Sequence, residues 1–392
     1  MLNISSSKMN KFRWIVLRNA CTFAEVVAFL ALEKLIDIET SSVSKIALVF
    51  SLQNLFVILM FLGSKIVDRW NRKLMLILSL VSLGLSVILK DAVPYWVHLN
   101  IVFFLSYIMY SIVPATSSYL ENIAGPDDRA SYLTSSSLYR TIFQVAVLFI
   151  SVYTLSNLVS VQVYLGLSFV FVLAILLASH FLKSFAPAPV VKTTNWFDIF
   201  KVLRFCWKMF VVYGLFCLIT RGVIVINQQY LKEVFDISGY EFSLPYKGLA
   251  YIGGLVASLI VTTVIKNISF KTYTIISLVT VLILSVSIYY QSPILIINCF
   301  GFLLGIANYG MTLYFNIEIH RVFSGTELKH IAILTYLLPF LTAFLAVTLF
   351  SYASTFGVAV MNTILFAGST VILVYVFSVK NVTINKSESP AM

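Results

Sequence analysis

The sequence predicts an all-α polytopic membrane protein: twelve transmembrane helices in two pseudo-symmetric six-helix bundles. Three observations carry that expectation. First, 60% of the 392 residues are hydrophobic and only 11% are charged, whereas a soluble domain carries about 25% charged residues. Second, the apolar residues come in repeated blocks. Crossing a bilayer takes roughly 20 mostly apolar residues. With no water in the hydrocarbon core, such a block can satisfy its backbone only as a helix. Third, Lys and Arg are distributed unevenly between alternate connecting segments, as they are when basic loops are held in the cytoplasm.

The first span runs from about Phe12 to Leu35, the second from Ser41 to Leu62 and the third from Leu74 to Leu89. The segment before the first is short and basic (Lys8, Lys11) and no small-residue cleavage site follows, so the block reads as a span and not a leader. The fourth covers Tyr95–Tyr119, the fifth Ser131–Leu155 and the sixth Val161–Leu182. A polar stretch from Lys183 to Arg204, with Pro187 and Pro189, reads as the linker between halves. The second half gives Trp207–Gln229, Pro245–Ile265, Tyr273–Tyr290, Pro293–Phe315, His330–Phe350 and Gly357–Val379. The expected organisation is an N-terminal six-helix bundle (1–182), a cytoplasmic linker (183–206), a C-terminal six-helix bundle (207–379) and a cytoplasmic tail (380–392).

An even number of spans places both termini on one side. If that side is the cytoplasm, the inner segments hold Lys65, Arg69, Arg72, Lys73, Arg129, Lys183, Lys192, Lys201, Arg204, Lys266, Lys271, Arg321 and Lys329 among others. The outer segments hold only Lys34, Lys45, Lys90, Lys232 and Lys247. This accounts for the net charge of +11 without a nucleic-acid partner. The four cysteines (Cys21, Cys206, Cys217, Cys299) are scattered through apolar blocks with no C-x-x-C pair. They predict buried, inert thiols and no disulfide framework or metal site.

Between the second and third spans stands Ser64-Lys65-Ile66-Val67-Asp68-Arg69-Trp70-Asn71-Arg72-Lys73. This resembles the loop signature of the major facilitator superfamily, roughly G-x-x-x-D-R-x-G-R-K, and it occupies the same place after the second span. Asp68, Arg69, Arg72 and Lys73 match; Ser64 and Asn71 stand where the family usually has Gly. Asn tolerates left-handed backbone, so Asn71 suits a tight turn. A weaker echo without the acid lies at Lys266-Asn267-Ile268-Ser269-Phe270-Lys271, between the eighth and ninth spans. Gly125-Pro126-Asp127-Asp128-Arg129 resembles the family's P-x-x-R-type turn after the fourth span, and Pro114 fits too. Two features of the drug–proton antiporter subgroup are missing: an arginine within Asn100–Pro114 and a Gly-Pro pair within Thr141–Thr154. The resemblance implies a gating role for Asp68, Arg69, Arg72 and Lys73, tying helices together on the cytoplasmic side in one state and releasing them in another.

A charge near the bilayer centre is costly and usually faces a cavity or a partner. The first span carries Arg18 and Glu25, seven residues apart on one helical face. The fifth carries Arg140, with Gln144 one turn on, and the seventh Arg221, followed by Asn227 and Gln228. Arg18 lies near the cytoplasmic end, where it can snorkel. Glu25, Arg140 and Arg221 lie near mid-span. The first and seventh helices are pseudo-symmetry mates in the superfamily, so the resemblance implies that Glu25 and Arg221 face each other across a central cavity. Two roles are open: a buried structural ion pair, or substrate and proton binding. A midplane arginine suits an anionic or zwitterionic substrate, and a desolvated glutamate suits proton coupling. Gln53, Asn54, Tyr107, Tyr110, Asn308 and Tyr309 are further polar candidates, with Asn308 retained as a binding residue. Gly253, Gly254, Gly301 and Gly305 read as close-packing sites between helices.

The reading is therefore a secondary active transporter that moves a small organic solute by alternating access, with a proton as the expected coupling ion and the lipid bilayer as its environment. Export of a drug-like compound or metabolite, such as a siderophore-like anion, is the first reading, because the chain is short with small outer loops. Uptake of an organic anion or nutrient is the second. No P-loop of the G-x-x-x-x-G-K-[ST] type is present, and neither H-E-x-x-H nor G-x-S-x-G occurs. His98, His180, His320 and His330 are dispersed near span ends. No catalytic residue, cofactor or metal is expected. An intramembrane enzyme and a non-transporting sensor on a transporter fold are the competing classes. The N-x-[ST] sites at Asn3, Asn267, Asn381 and Asn385 all fall on the cytoplasmic side, which fits a bacterial inner membrane. A monomer is implied by the resemblance alone.

Overall fold

The structure, a computed structural model, describes residues 15, 43–62, 126–156, 196–237, 239–323 and 325–379. Glu25 and the loop residues Asp68, Arg69, Arg72 and Lys73 lie outside the described residues, as do the expected third, fourth and sixth spans. The chain divides into two compact units, with the boundary between Thr194 and Asn195; residues 36–51 group with the second unit.

Among the described residues there are helices and no strands. We number them α1 (Val43–Leu62), α2 (Pro126–Ser156), α3 (Trp196–Phe235), α4 (Gly239–Asn267), α5 (Phe270–Tyr289), α6 (Ile294–Val322), α7 (Gly325–Ala353) and α8 (Val358–Ser378). A short 3-10 turn, Ser354–Phe356, joins the last two. Among the described residues, five segments are long and apolar enough to cross a membrane: Phe200–Phe235, Phe270–Tyr289, Ile294–Val322, Leu337–Phe356 and Val358–Ser378.

Each helix starts and stops for a local reason. α2 opens on Pro126, whose fixed φ suits a first helical position. Asp127 and Asp128 follow, where the helix dipole favours acids. The expected turn at Gly125–Arg129 is thus corrected: Pro126 to Arg129 form the first turn of a helix. α3 begins at Trp196, inside the segment expected to be linker, because Asp198, Lys201 and Arg204 interleave with Phe197, Val202 and Leu203 at helical spacing. It ends at Asp236, in the left-handed region with φ 54°, where the N–H of Ile237 folds back on the carbonyl of Leu231. α5 is capped by Ser269, whose hydroxyl accepts the Thr272 N–H at 3.1 Å. α4 and α7 carry Pro245 and Pro339 in their interiors, which spanning helices tolerate.

Within the second unit the most extensive packing is α4 on α6, then α7 on α3, with α5 bridging α6 and α8. Glycines allow the first contact. A Cβ on Gly253 would collide with the Phe302 carbonyl, one on Gly305 with the Ala250 carbonyl, and one on Gly301 would lie 2.9 Å from Tyr246. Gly214 and Gly222 admit Leu338 and the Phe350 ring of α7 in the same way. Polar clamps fix the remaining pairs. Ser285 donates to the Asn362 side-chain oxygen at 2.6 Å, and the Asn362 amide returns a bond to the Ser285 carbonyl at 2.9 Å. The Tyr273 hydroxyl donates to the Ile306 carbonyl at 2.7 Å. Ser51 on α1 meets Thr348 on α7 at 2.5 Å. Large apolar side chains face outward along α8, among them Val371, Val374 and Phe377, as lipid-facing positions do. Cys206 and Cys217 are buried, but Cys299 on α6 is exposed, which corrects the expectation of buried thiols there.

Candidate functional site

The candidate residues meet best on α3. At 3.6 residues per turn, Tyr213, Cys217, Thr220, Arg221, Asn227 and Gln228 fall within a sector of about 120°. The opposite side of the helix, at Gly222, packs on Phe350 of α7. Six of the polar groups of α3 therefore share one face.

That face meets α6. Tyr213 is fully buried, stacks on Phe315 with ring centroids 4.1 Å apart, and donates its hydroxyl to the Thr312 hydroxyl at 3.2 Å. Thr312 belongs to a stripe on α6, Asn308–Thr312–Asn316, spaced four residues apart. All three are half-buried. The Thr312 hydroxyl donates to the Asn308 carbonyl at 2.8 Å, and the Asn316 amide donates to the Thr312 carbonyl at 2.9 Å. Tyr309, a sequence candidate beside Asn308, turns instead towards α4 and makes an edge contact with Tyr251 at 6.3 Å.

Arg221 is exposed although it sits within the apolar span of α3. Its guanidinium lies within electrostatic range of Cys217 and Tyr213. Among the described residues no carboxylate forms an ion pair with it; the ion pair that is present joins Arg321 to Glu318 at 2.7 Å, near the end of α6. On the other side of Arg221, Asn227 is completely buried and Gln228 is 4% exposed. The Asn227 amide is close to the Tyr246 hydroxyl of α4. Neither its oxygen nor its nitrogen reaches hydrogen-bonding geometry with any partner. Thr220, by contrast, is satisfied by its own helix, at the carbonyls of Phe216 and Cys217.

In the first unit, Arg140 lies on α2 and is half-buried, with its Nε buried and unpaired. Gln144, one turn on, is 4% exposed. Two contacts mark the ends of the second unit. Glu233 on α3 accepts the backbone N–H of Val358, the first residue of α8, at 3.2 Å, and the Gln229 amide at 2.7 Å. At the other end Lys271 donates to the carbonyls of Phe377 and Val379, where α8 stops, at 2.9 and 2.8 Å. Lys271 closes the sequence's weaker loop echo, so the echo carries a helix-terminus contact even without an acid.

Sequence reasoning passed over Tyr213, Tyr246, Thr312 and Asn316. For Thr312 and Asn316 a signal existed: both repeat Asn308 at four-residue spacing. For Tyr213 the signal was its position eight residues before Arg221. Tyr246 had none, because its place beside Asn227 depends on how α4 crosses α3.

Long apolar helices, with a guanidinium inside one of them that pairs with no carboxylate among the described residues, fit a multi-pass integral membrane protein. The chain belongs to the Major Facilitator Superfamily, whose family model matches residues 19–319. Among solved structures it is similar to a single-residue mutant of the nucleoside transporter NupG, with a TM-score of 0.66 and 13% identity over 95% of this chain and 100% of that one. It is similar also to a bacterial homologue of the iron transporter ferroportin in the outward-facing state, with a TM-score of 0.63 and 13% identity over 94% and 98%. At these identities the likeness is one of fold. No curated protein sequence matches this one.

Proposed function

We propose that this protein is a secondary transporter that moves a small organic anion or zwitterion by alternating access, with Arg221 as the group that holds the anionic end. The observation that carries the reading is the exposed guanidinium of Arg221 within the apolar span of α3, which pairs with no carboxylate among the described residues. A charge at the helix centre costs about 2.5–3.5 kcal/mol to insert, so its retention argues for a partner that arrives and leaves. A guanidinium offers carboxylate or phosphate a planar, bidentate fork. The α6 stripe of Asn308, Thr312 and Asn316, tied to α3 by the Tyr213–Thr312 bond, supplies neutral donors and acceptors.

The fuller reading has twelve spans in two six-helix bundles, divided as 1–182 and 207–379, with both termini in the cytoplasm of a bacterial cell. In it Glu25 carries the coupling proton, Arg140 contributes from the first half, and Asp68, Arg69, Arg72 and Lys73 form the cytoplasmic gate of a monomer. Export of a metabolite or drug-like anion is the preferred direction. Uptake is the second reading, because an arginine subsite serves an organic anion whichever way it travels. The test is flux of radiolabelled carboxylates and phosphates in proteoliposomes, wild type beside Arg221→Ala. Saturable anion flux that Arg221→Ala abolishes supports the proposal. Flux confined to lipophilic cations, indifferent to Arg221→Ala, overturns it. Driving the flux with an imposed pH gradient of either sign then fixes coupling and direction.

A further inference from the structure

Asn227 is the fully buried amide of the α3 sector, lying against the Tyr246 hydroxyl of α4 without a well-formed hydrogen bond. Its exposure is 0%, and both its oxygen and its nitrogen lack a hydrogen-bonding partner. A buried amide in that condition destabilises a fold, and an apolar residue of the same shape would remove the penalty. Leucine has nearly that shape. Residues that a fold tolerates at such a disadvantage concentrate where a protein binds something.

Its position says what could bind. Asn227 lies six residues from Arg221, so their Cα atoms are about 9 Å apart along the helix axis. Both residues belong to the same helical sector, and the Tyr246 hydroxyl of α4 stands beside Asn227. A carboxamide offers one acceptor oxygen and two donor hydrogens on a single plane. Its natural complement is a group with an acceptor and a donor side by side: an amide, or a heteroaromatic ring edge.

Resting on the proposed anion site at Arg221, we propose that Asn227, assisted by Tyr246, is the specificity-determining subsite for the uncharged end of the solute. The substrate class is then an elongated organic anion that carries an amide-like donor–acceptor pair about 9 Å or more from its charge. In the present conformation Asn227 is sealed. It becomes available when α3 and α4 part, as a gate between the two subsites would require, so the second contact forms as the solute advances from Arg221.

The probes are ε-acetamidocaproate, which has a carboxylate and an amide at about the required spacing, and caproate, which has the carboxylate alone. Binding of both is measured by calorimetry on nanodisc-embedded protein, for wild type, Arg221→Ala and Asn227→Leu, together with the melting temperature of each. The expected result is that wild type binds the amide probe about tenfold more tightly than caproate, that Asn227→Leu erases the difference while leaving caproate binding intact, and that Asn227→Leu melts no lower than wild type. If caproate binds through Arg221 but the amide adds nothing in wild type, the Asn227 subsite is overturned and the anion site stands. That comparison needs no variant to fold. A marked loss of melting temperature in Asn227→Leu, with probe preference unchanged, also overturns it, since the amide would then be a structural hydrogen-bonding group. If neither probe binds, and phosphate-bearing anions also fail, the Arg221 reading falls and the inference falls with it.

Discussion

The close approach of α4 and α6 makes a quantitative prediction for Gly253→Ala. The added Cβ would overlap the Phe302 carbonyl oxygen and lie 2.9 Å from the Ile306 nitrogen and 3.1 Å from the Phe302 carbonyl carbon. All three atoms are backbone, so no rotamer change relieves the overlap and the helices must separate by roughly 1 Å. Separation also loosens the neighbouring contacts of Gly305 with Ala250 and of Gly301 with Tyr246. Overpacking a tight core costs about 1–3 kcal/mol, and a backbone-to-backbone clash belongs at the top of that range. At about 1–2 °C per kcal/mol for a chain of this size, the melting temperature should fall by a few degrees. Gly368→Ala is the control: its Cβ would meet only the tip of Ile219 at 3.2 Å. That variant should be neutral or slightly stabilising, since alanine is the better helix former by about 1 kcal/mol. Melting is followed with a thiol-reactive dye, which reports the opening of the buried Cys206 and Cys217 above the background of exposed Cys299. Equal melting temperatures for Gly253→Ala and wild type, or an equal drop for Gly368→Ala, would refute the packing argument.

Two further outcomes follow from the polar clamps. Asn362→Leu breaks both bonds to Ser285 and leaves a buried hydroxyl and carbonyl behind. It should cost about 1 kcal/mol, the scale of hydrogen bonds between membrane helices, and adding Ser285→Ala should recover part of that loss in a double-mutant melting cycle. Lys271→Met keeps the apolar stem but removes the donor that ties the α8 terminus to α5. Backbone amides in the last turn of α8 should exchange faster in deuterium while those of α6 are unchanged; uniform protection would show that Lys271 plays no part in holding that end.

The helices were legible in the sequence because membrane crossing leaves a blunt signature: a long apolar block is a helix whatever surrounds it. The predicted block Gly357–Val379 and α8 at Val358–Ser378 differ by one residue at each end. Errors arose where polar residues sit inside helices. Trp196–Cys206 looked like linker because it carries charge, and Pro126 looked like a turn because proline breaks helix interiors, although it suits a helix start. The packing glycines were also legible, since only close approach explains Gly301 and Gly305 one turn apart. The site was legible only where charge marked it. Arg221 stood out because a guanidinium in an apolar block is anomalous; Tyr213 and Tyr246 did not, because an aromatic in such a block is ordinary until tertiary contacts show what its hydroxyl meets.

The arrangement along α3 separates anchoring from binding. Tyr213 ties the helix to α6 through Thr312, and Tyr230 ties it to the α5–α6 connection through the Ser292 carbonyl at 2.9 Å. Both tyrosines are fully buried and both hydroxyls are used. Arg221 and Asn227 lie between these two anchors, and they are the polar groups of the sector that the described residues leave unsatisfied. If the polar sector existed only to hold the bundle together, unmet groups would gather at the frayed ends of α3, where water could satisfy them, and the middle would be paired. The opposite is found. The C-terminal end of α3 is fastened by the Tyr230 bond and by the Glu233 contact with α8, Tyr213 is fastened further back, and the Arg221 guanidinium between them pairs with no carboxylate among the described residues. On the proposed reading, a polar solute at that depth would meet both the Arg221 guanidinium and the buried Asn227 amide, the two positions on α3 where a transported anion would contribute most.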